Sequence, residues 1–291
     1  MTAATILLPG FTERRKDERA VSLRWFEAGE GRPIVLVHGF GGAASNWTLV
    51  APRLVELGRV VIPDLPGHGG SSPFPAPPET LDPYADRVAP LVGADSALVV
   101  GHSLGGAVAL RLAVRRPDCV RGLVVAGCAG ISSSTREAER LLMLASMLRI
   151  GKKISRWRRE IGRSAFLRTL AFGGISTADP RALSAQAVEG FLAGSALYTD
   201  IGTAGRALVR TELRLELEHV RSPVLVLHGA GDRQVPLEDA FEYARRLRAP
   251  LRTIADCGHL LISERPEAIV DAISDWIRHV DELPVEREAI G

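Results

Sequence analysis

Short continuous apolar runs recur along the chain, and they constrain its fold more strongly than any other feature. They occupy residues 33–38 (PIVLVH), 59–63 (RVVIP), 96–101 (SALVVG), 122–126 (GLVVA), 223–228 (PVLVLH) and 251–254. Runs of this length without polar alternation are typical of strands buried on both faces. We therefore expect at least six strands of this kind.

Helical patterns separate the runs. One spans residues 104–115 and is halted by Pro117, and another spans 266–280 and begins with proline. Residues 21–26 are predicted to form an edge strand, and the charged residues 1–19 a partly ordered arm. Buried strands that alternate with helices predict an α/β fold with a mostly parallel central sheet and helices on both faces.

The alternation stops between residues 131 and 220, where no buried-strand run occurs. Ser134 and Glu137 have the spacing of a capping box, and Asp179-Pro180 is typical of a helix start. An amphipathic stretch follows at 201–218. We predict that residues 131–220 form an inserted helical cap, and that residues 1–130 and 221–291 form the core.

Composition narrows the class of protein. The 291 residues include 46% hydrophobic residues and carry a net charge of +2, so a large core is available and nothing favours nucleic acid as a partner. The cysteines at 119, 128 and 257 are scattered, and we expect them to be reduced and buried. No secretory signal pattern and no apolar stretch of about 20 residues is found, which favours a cytoplasmic protein.

The chemistry of the chain is indicated by Gly101-His102-Ser103-Leu104-Gly105, which lies between an apolar run and a helix. A sharp strand-to-helix turn exposes the serine hydroxyl, and flanking glycines remove side chains that would clash. The start of the following helix favours developing negative charge. Ser103 is the predicted nucleophile.

Four motifs in order resemble the α/β-hydrolase superfamily. They are HGFGG at 38–42, DLPGHGGS at 64–71, GHSLGG at 101–106, and Gly231-Asp232 followed by Gly258-His259. The resemblance covers about residues 20–130 and 221–280, but not the cap. It implies an α/β-hydrolase fold with a nucleophile elbow and an inserted cap.

The resemblance also places the base. His259 follows a strand and precedes the last helix, on a loop free to reach the serine. Asp232 follows the run at 223–228 and completes the order Ser–Asp–His, so it is the predicted acid. Asp256 is the rival acid because it is close to His259 in sequence, although turn carboxylates are usually structural. Asp64 is expected to brace a loop.

The oxyanion is expected to bind the backbone N–H groups of Phe40 and Leu104, and two such donors are typically worth a few kcal/mol each. Histidines and carboxylates do not cluster at metal-ligand spacings, and no dinucleotide fingerprint or phosphate loop occurs. We therefore expect neither a metal nor a cofactor.

Residues 149–168 form a basic segment of eight Lys and Arg residues against one acid, with Trp157 and Phe166 interleaved. It could attract an anionic or lipid-like substrate or touch a membrane. The favoured interpretation is a solvated helix face.

We expect hydrolysis of an ester, thioester or related acyl bond through an acyl-enzyme, on a small and largely apolar substrate. The resemblance leaves open carbon–carbon bond hydrolase, lactonase, proline iminopeptidase and perhydrolase activities. Leu260 and Leu261 after the base disfavour carbon–carbon cleavage, where an aromatic residue is frequent. A ligand receptor or scaffold with little turnover, or an acyl-transferring biosynthetic enzyme, stays open as well. The substrate and the oligomeric state have no readable motif.

Overall fold

The apolar runs form the strands of one central sheet. A computed structural model describes residues 8–18, 20–93, 95–131, 153–173, 176–194 and 198–283. Its strands are β1 (Thr12–Glu18), β2 (Val21–Ala28), β3 (Pro33–Val37), β4 (Arg59–Pro63), β5 (His68–Gly69), β6 (Ala97–His102), β7 (Val120–Ala126), β8 (Tyr198–Thr199), β9 (Val224–Gly229) and β10 (Leu251–Ile254). Eight of them form the main sheet in the order β1-β2-β4-β3-β6-β7-β9-β10, and β5 pairs with β8.

Most neighbouring strands of the main sheet run parallel. The pairs β3–β4, β3–β6, β6–β7, β7–β9 and β9–β10 are parallel, and the pairs β1–β2 and β2–β4 are antiparallel. Parallel neighbours require long crossover connections, which explains the helical stretches between the apolar runs. The predicted α/β class with a mostly parallel sheet is confirmed.

Helices cover both faces of this sheet. In the described part of the chain they are α1 (Ala51–Leu54), α2 (Asp82–Val92), α3 (Leu104–Arg115), α4 (Arg158–Arg163), α5 (Ala165–Phe172), α6 (Ala185–Gly194), α7 (Ile201–Arg210), α8 (Leu213–Glu216), α9 (Leu237–Leu247), α10 (Leu261–Glu264) and α11 (Pro266–Glu282). Short 3₁₀ turns occupy Ala44–Trp47, Val55–Leu57, Pro117–Cys119, Ser155–Trp157, Pro180–Ala182 and Leu217–His219.

Successive side chains of the central strands enter two different hydrophobic cores. Val35 and Val99 join the core that contains residues of α2, α3 and α9. Ile34 and Leu98 join the opposite core, with residues of α1 and α11. Because side chains alternate along a strand, an unbroken apolar run is what a sheet covered on both faces needs.

The N-terminal segment differs from the prediction. Residues 12–18, expected in a partly ordered arm, form the edge strand β1, and β2 is paired on both sides. The side chains of β1 are mostly exposed and charged, so its pairing with β2 depends on backbone hydrogen bonds that no apolar pattern reveals. Charged side chains on an edge strand also oppose pairing with a second molecule.

The connection from β7 to β9 is helical where it is described. Five helices, α4 to α8, lie there, with the two-residue strand β8. Asp179 caps the turn at Pro180–Ala182 as predicted, and the expected stretch 201–218 is interrupted at Thr211. The Thr211 hydroxyl donates to the carbonyl of Ala207 and accepts the N–H of Leu81, which fixes that break. The capping box at 134–137 lies outside the described residues.

Two further expectations concern cysteines and membranes. Within the described residues, Cys119, Cys128 and Cys257 are buried thiols that form no disulfide, as predicted. Among the described residues, no helix combines the length and the apolar character that crossing a membrane requires.

Candidate active site

Ser103 occupies the turn between β6 and α3 in a backbone conformation that L-residues rarely adopt, with φ 54° and ψ −118°. Such a conformation costs on the order of 1–3 kcal/mol and is found mainly at functional sites. The glycines on either side allow it. A Cβ on Gly101 would collide with the backbone of Gly105, and a Cβ on Gly105 with the carbonyl of Val37.

The loops after β9 and β10 bring Asp232 and His259 to this serine. The Nε2 atom of His259 lies 3.0 Å from Ser103 Oγ, and its Nδ1 atom lies 2.8 Å from Asp232 Oδ2. All three residues come from the carboxyl ends of parallel strands, which meet at one edge of the sheet. The structure thus brings together the three residues that the sequence singles out.

The carboxylate of Asp232 is held in one orientation. Its Oδ1 atom accepts the N–H groups of Gln234 and Val235, at 2.8 and 3.0 Å. Burial by itself would raise the pKa of Asp232, but His259 and the two N–H donors hold that pKa below its ordinary value. An ionised Asp232 accepts the Nδ1 proton of His259, so the Nε2 lone pair faces the serine hydroxyl.

Asp256, the rival acid, lies exposed in the turn after β10 with φ 48°. An aspartate tolerates this left-handed conformation better than most residues. The carboxylate that contacts His259 is that of Asp232.

The turn at residues 38–40 lies directly against Ser103. A Cβ on Gly39 would come 3.0 Å from Ser103 Cβ, which is tighter than most Cβ contacts, so a larger residue would push against Ser103. The buried ring of His38 fixes the turn, because its Nδ1 lies 2.8 Å from the Gly39 carbonyl and its Nε2 accepts the N–H of Leu65. Burial lowers the pKa of His38 to about 3, so the ring stays neutral.

Leu104 is the first residue of α3, and a first-turn N–H has no partner within its helix. It is therefore available beside Ser103. Phe40 follows Gly39, which lies close to Ser103, and its side chain is half-buried. Their roles as oxyanion donors stay predictions.

His102 is buried and contacts the backbone of His259. Its Nε2–H donates to the backbone carbonyl of His259 across 2.7 Å. Burial lowers the pKa of His102 to about 3, so this donor is a neutral ring. The sequence shows that His102 is next to Ser103. It cannot show the contact with His259, which lies 157 residues further along the chain.

Asp64 braces a loop, as expected. Its buried carboxylate accepts the N–H groups of Ala44 and Gly70 and pairs with the guanidinium of Arg24, 2.5 Å from Nη2. Arg24 was not singled out in the sequence. It lies on β2, so the pair ties the antiparallel strand to the loop behind the site.

The described part of the basic segment, from residue 153 to 168, is largely exposed. The guanidinium of Arg156 lies 3.8 Å from the centre of the Trp157 ring. Trp157, Phe166 and Leu170 are also exposed, by 47%, 75% and 76%. This exposure agrees with the favoured interpretation of a solvated face, and a role in substrate or membrane contact stays a prediction.

Comparison with known proteins places the chain in a family. It matches the alpha/beta hydrolase family over residues 34–272. It is 35% identical over 251 residues to the pimeloyl-[acyl-carrier protein] methyl ester esterase of Aromatoleum aromaticum, covering 84% of this chain and 98% of that protein. It is 29% identical to the 2-hydroxymuconate semialdehyde hydrolase of Pseudomonas sp. strain CF600, covering 88% and 90%.

Comparison with solved structures finds the same fold. A thermophilic esterase from Thermogutta terrifontis superposes with a TM-score of 0.71 at 25% identity, covering 92% of this chain and 99% of that one. The chain belongs to the alpha/beta hydrolase family. It is an enzyme, a hydrolase, as the motifs predicted.

Proposed function

We propose that this hydrolase cleaves carboxylic esters of small, largely apolar acyl compounds through an acyl-enzyme on Ser103. The observation that carries the proposal is the chain of contacts from Ser103 Oγ to His259 Nε2, 3.0 Å, and from His259 Nδ1 to Asp232, 2.8 Å. The esterases among its relatives support it.

In the acylation step, Ser103 Oγ attacks the ester carbonyl carbon while His259 Nε2 takes the hydroxyl proton. The carbonyl oxygen gains the negative charge, and the N–H groups of Phe40 and Leu104 stabilise it. When the carbon–oxygen bond to the alcohol breaks, His259 returns its proton to the leaving oxygen. The alcohol departs, and the acyl group stays on Ser103.

In the second half, water replaces the alcohol. His259 removes a proton from water, the resulting oxygen attacks the acyl carbon, and the same N–H donors hold the second oxyanion. Ser103 then leaves with the proton carried by His259, and the carboxylic acid is released. Throughout, Asp232 stabilises the imidazolium and is not itself protonated.

Carbon–carbon bond hydrolysis is the second candidate, because a 2-hydroxymuconate semialdehyde hydrolase is among the relatives. The residue after the base argues against it. Leu260 is aliphatic and packs into a cluster with Phe172, Leu183 and Val188 of the β7–β9 connection. It therefore lacks the aromatic character that the resemblance associates with that activity.

The test is hydrolysis of p-nitrophenyl and methyl esters of graded acyl length, beside a 2-hydroxy-6-oxo-dienoate. We expect ester turnover by the wild type and a loss of about 10⁴-fold or more in kcat for Ser103→Ala. Ser274→Ala is the matched control, since that hydroxyl donates to a carbonyl within α11. Cleavage of the dienoate without ester turnover, or equal rates for Ser103→Ala and wild type, would refute the proposal.

The division into a core of residues 1–130 and 221–291 and a cap of 131–220 belongs to the same proposal. A separate hydrophobic cluster drawn mostly from the connection supports it, with Ile161, Phe172 and Leu192 among its members and Leu260 joining from the core. The cytoplasmic location is also proposed, and the buried free thiols are in keeping with it.

A further inference from the structure

A short segment of the β7–β9 connection, residues 176–178, lies against the loop that carries His259. The backbone carbonyl of Ser176 accepts the N–H of His259 at 3.1 Å and the N–H of Leu260 at 3.2 Å. The base therefore receives part of its backbone support from outside the core.

Glu264 accepts hydrogen bonds from both the segment 176–178 and the loop that carries His259. Its Oε2 atom accepts the N–H of Ala178 at 2.8 Å and the N–H of Gly258 at 3.0 Å. Its Oε1 atom accepts the N–H of Leu260 at 3.1 Å. One carboxylate thus binds the residue before His259, the residue after it, and the segment 176–178.

The two backbones touch at this point. A Cβ on Gly258 would come 2.6 Å from the nitrogen of Ala178, closer than real Cβ atoms approach. The side chain of Leu260 extends the contact into the cluster that contains Phe172 and Leu183. The histidine loop is consequently packed on the connection.

The acid loop reaches the same segment. The amide Nε2 of Gln234 donates to Ser176 Oγ at 2.8 Å, while the backbone N–H of Gln234 donates to Asp232 Oδ1 at 2.8 Å. Ser176 therefore contacts the loops of both the base and the acid.

We propose that Glu264 is a positioning residue that couples segment 176–178 to His259 and so holds the imidazole in reach of Ser103. The proposal rests on the proposed function in taking His259 as the base. A displacement of about 1 Å at a catalytic group can cost on the order of 100-fold in rate, so a coupling of this kind is visible in kcat.

The test compares Glu264→Gln and Glu264→Ala with Glu267→Gln and Glu267→Ala. Glu267 is three residues away and its side chain is 69% exposed, so its variants match the change in charge without touching the loop. Glutamine keeps one acceptor oxygen, but its N–H₂ group must face at least one of the three backbone N–H donors, with which it cannot form a hydrogen bond. We expect kcat to fall by about 100-fold for Glu264→Ala and by less for Glu264→Gln, with KM little changed.

A second readout uses no substrate. The rate at which a fluorophosphonate modifies Ser103 reports how well His259 activates the hydroxyl, and we expect it to fall in the same order. If wild type is modified but cleaves no ester, the ester proposal fails and this comparison still tests Glu264. If wild type is not modified, both proposals fail.

Coupling through the segment is tested by combining Glu264→Ala with Gln234→Ala. Because both side chains act on residues 176–178, we expect the double variant to lose less than the product of the two single losses. Independent, multiplicative losses would overturn the coupling. An unchanged kcat and modification rate in Glu264→Ala, with only a lower free energy of unfolding, would show a plain structural brace and overturn the proposal.

Discussion

At the scale of single residues, the two oxygens of Asp232 have different partners. Oδ1 accepts two backbone N–H groups, and Oδ2 accepts Nδ1–H of His259. An asparagine at this position would keep its carbonyl oxygen on the two backbone donors. Its N–H₂ group would then face Nδ1 of His259, which must become an acceptor. The imidazole proton would move to Nε2, where a lone pair is needed to deprotonate Ser103.

We therefore expect Asp232→Asn to lower kcat by about 10³- to 10⁴-fold while the protein stays folded. Asp256→Asn makes the same chemical change at the exposed rival carboxylate, and its kcat should equal that of wild type. Steady-state hydrolysis of a p-nitrophenyl ester by the two variants decides between the acids. A large loss in Asp256→Asn with none in Asp232→Asn would reverse the assignment.

Ser103, Asp232 and His259 are recognisable in the sequence because they stand in the motif order of the family that the chain resembles, each after a strand, and strand ends converge in a parallel sheet. The sequence could not reveal Glu264 as a partner of the base. The contact of Glu264 with Ala178 joins residues 86 positions apart, and two of its three partners are backbone groups of the histidine loop. Backbone contacts between distant segments leave no pattern in residue types.

At the scale of elements, the close approach of α3 to the sheet depends on glycine. A Cβ on Gly105 would collide with the carbonyls of Val37 and His38 on β3 and just after it. We expect Gly105→Ala to lower the free energy of unfolding by about 3 kcal/mol or more, because α3 must move away from β3. The measurement is urea unfolding followed by circular dichroism.

Gly202→Ala is the matched control, a helical glycine of α7 whose added Cβ would have its nearest neighbour at 3.6 Å. It should leave the free energy of unfolding unchanged or raise it by up to about 1 kcal/mol, because alanine favours helix. Equal effects of the two substitutions would contradict the steric argument.

The elements themselves were predictable to different degrees. β4 has the bounds expected from its apolar run, and α3 those expected from its pattern and Pro117. β10 also has its expected bounds, but the expectation that it is buried on both faces was wrong, because it is an edge strand and Arg252 and Thr253 are exposed. Strands that are buried on both faces consist of apolar residues, so they can be predicted from the sequence. β1 was missed because its side chains face solvent and only its backbone is paired.

At the scale of the whole molecule, five of the seven histidines are buried, and four of them lie outside the Ser103–His259–Asp232 contacts: His38, His68, His102 and His228. Burial lowers the pKa of each, to about 3 for His38 and His102. In the unfolded chain these rings regain the ordinary pKa of 6.5. Between pH 6.5 and about 3 the unfolded state therefore binds protons that the native state does not. Stability is full above that window and is lost as the pH falls through it.

We expect the free energy of unfolding to fall steeply below pH 6, by about 1.4 kcal/mol per pH unit for each of His38 and His102. Asp232 adds to the loss only at lower pH, because its pKa is depressed below the ordinary 3.8. Urea unfolding at a series of pH values from neutral to moderately acidic measures the slope.

His102→Gln should make this slope shallower by about 1.4 kcal/mol per pH unit, the contribution of one proton, because the removed ring no longer titrates in the unfolded state. This change in slope is expected whatever the effect of the substitution on stability at neutral pH. An identical slope in His102→Gln and wild type would mean that the ring at 102 is protonated in the native protein, which its donation to the His259 carbonyl and its burial oppose.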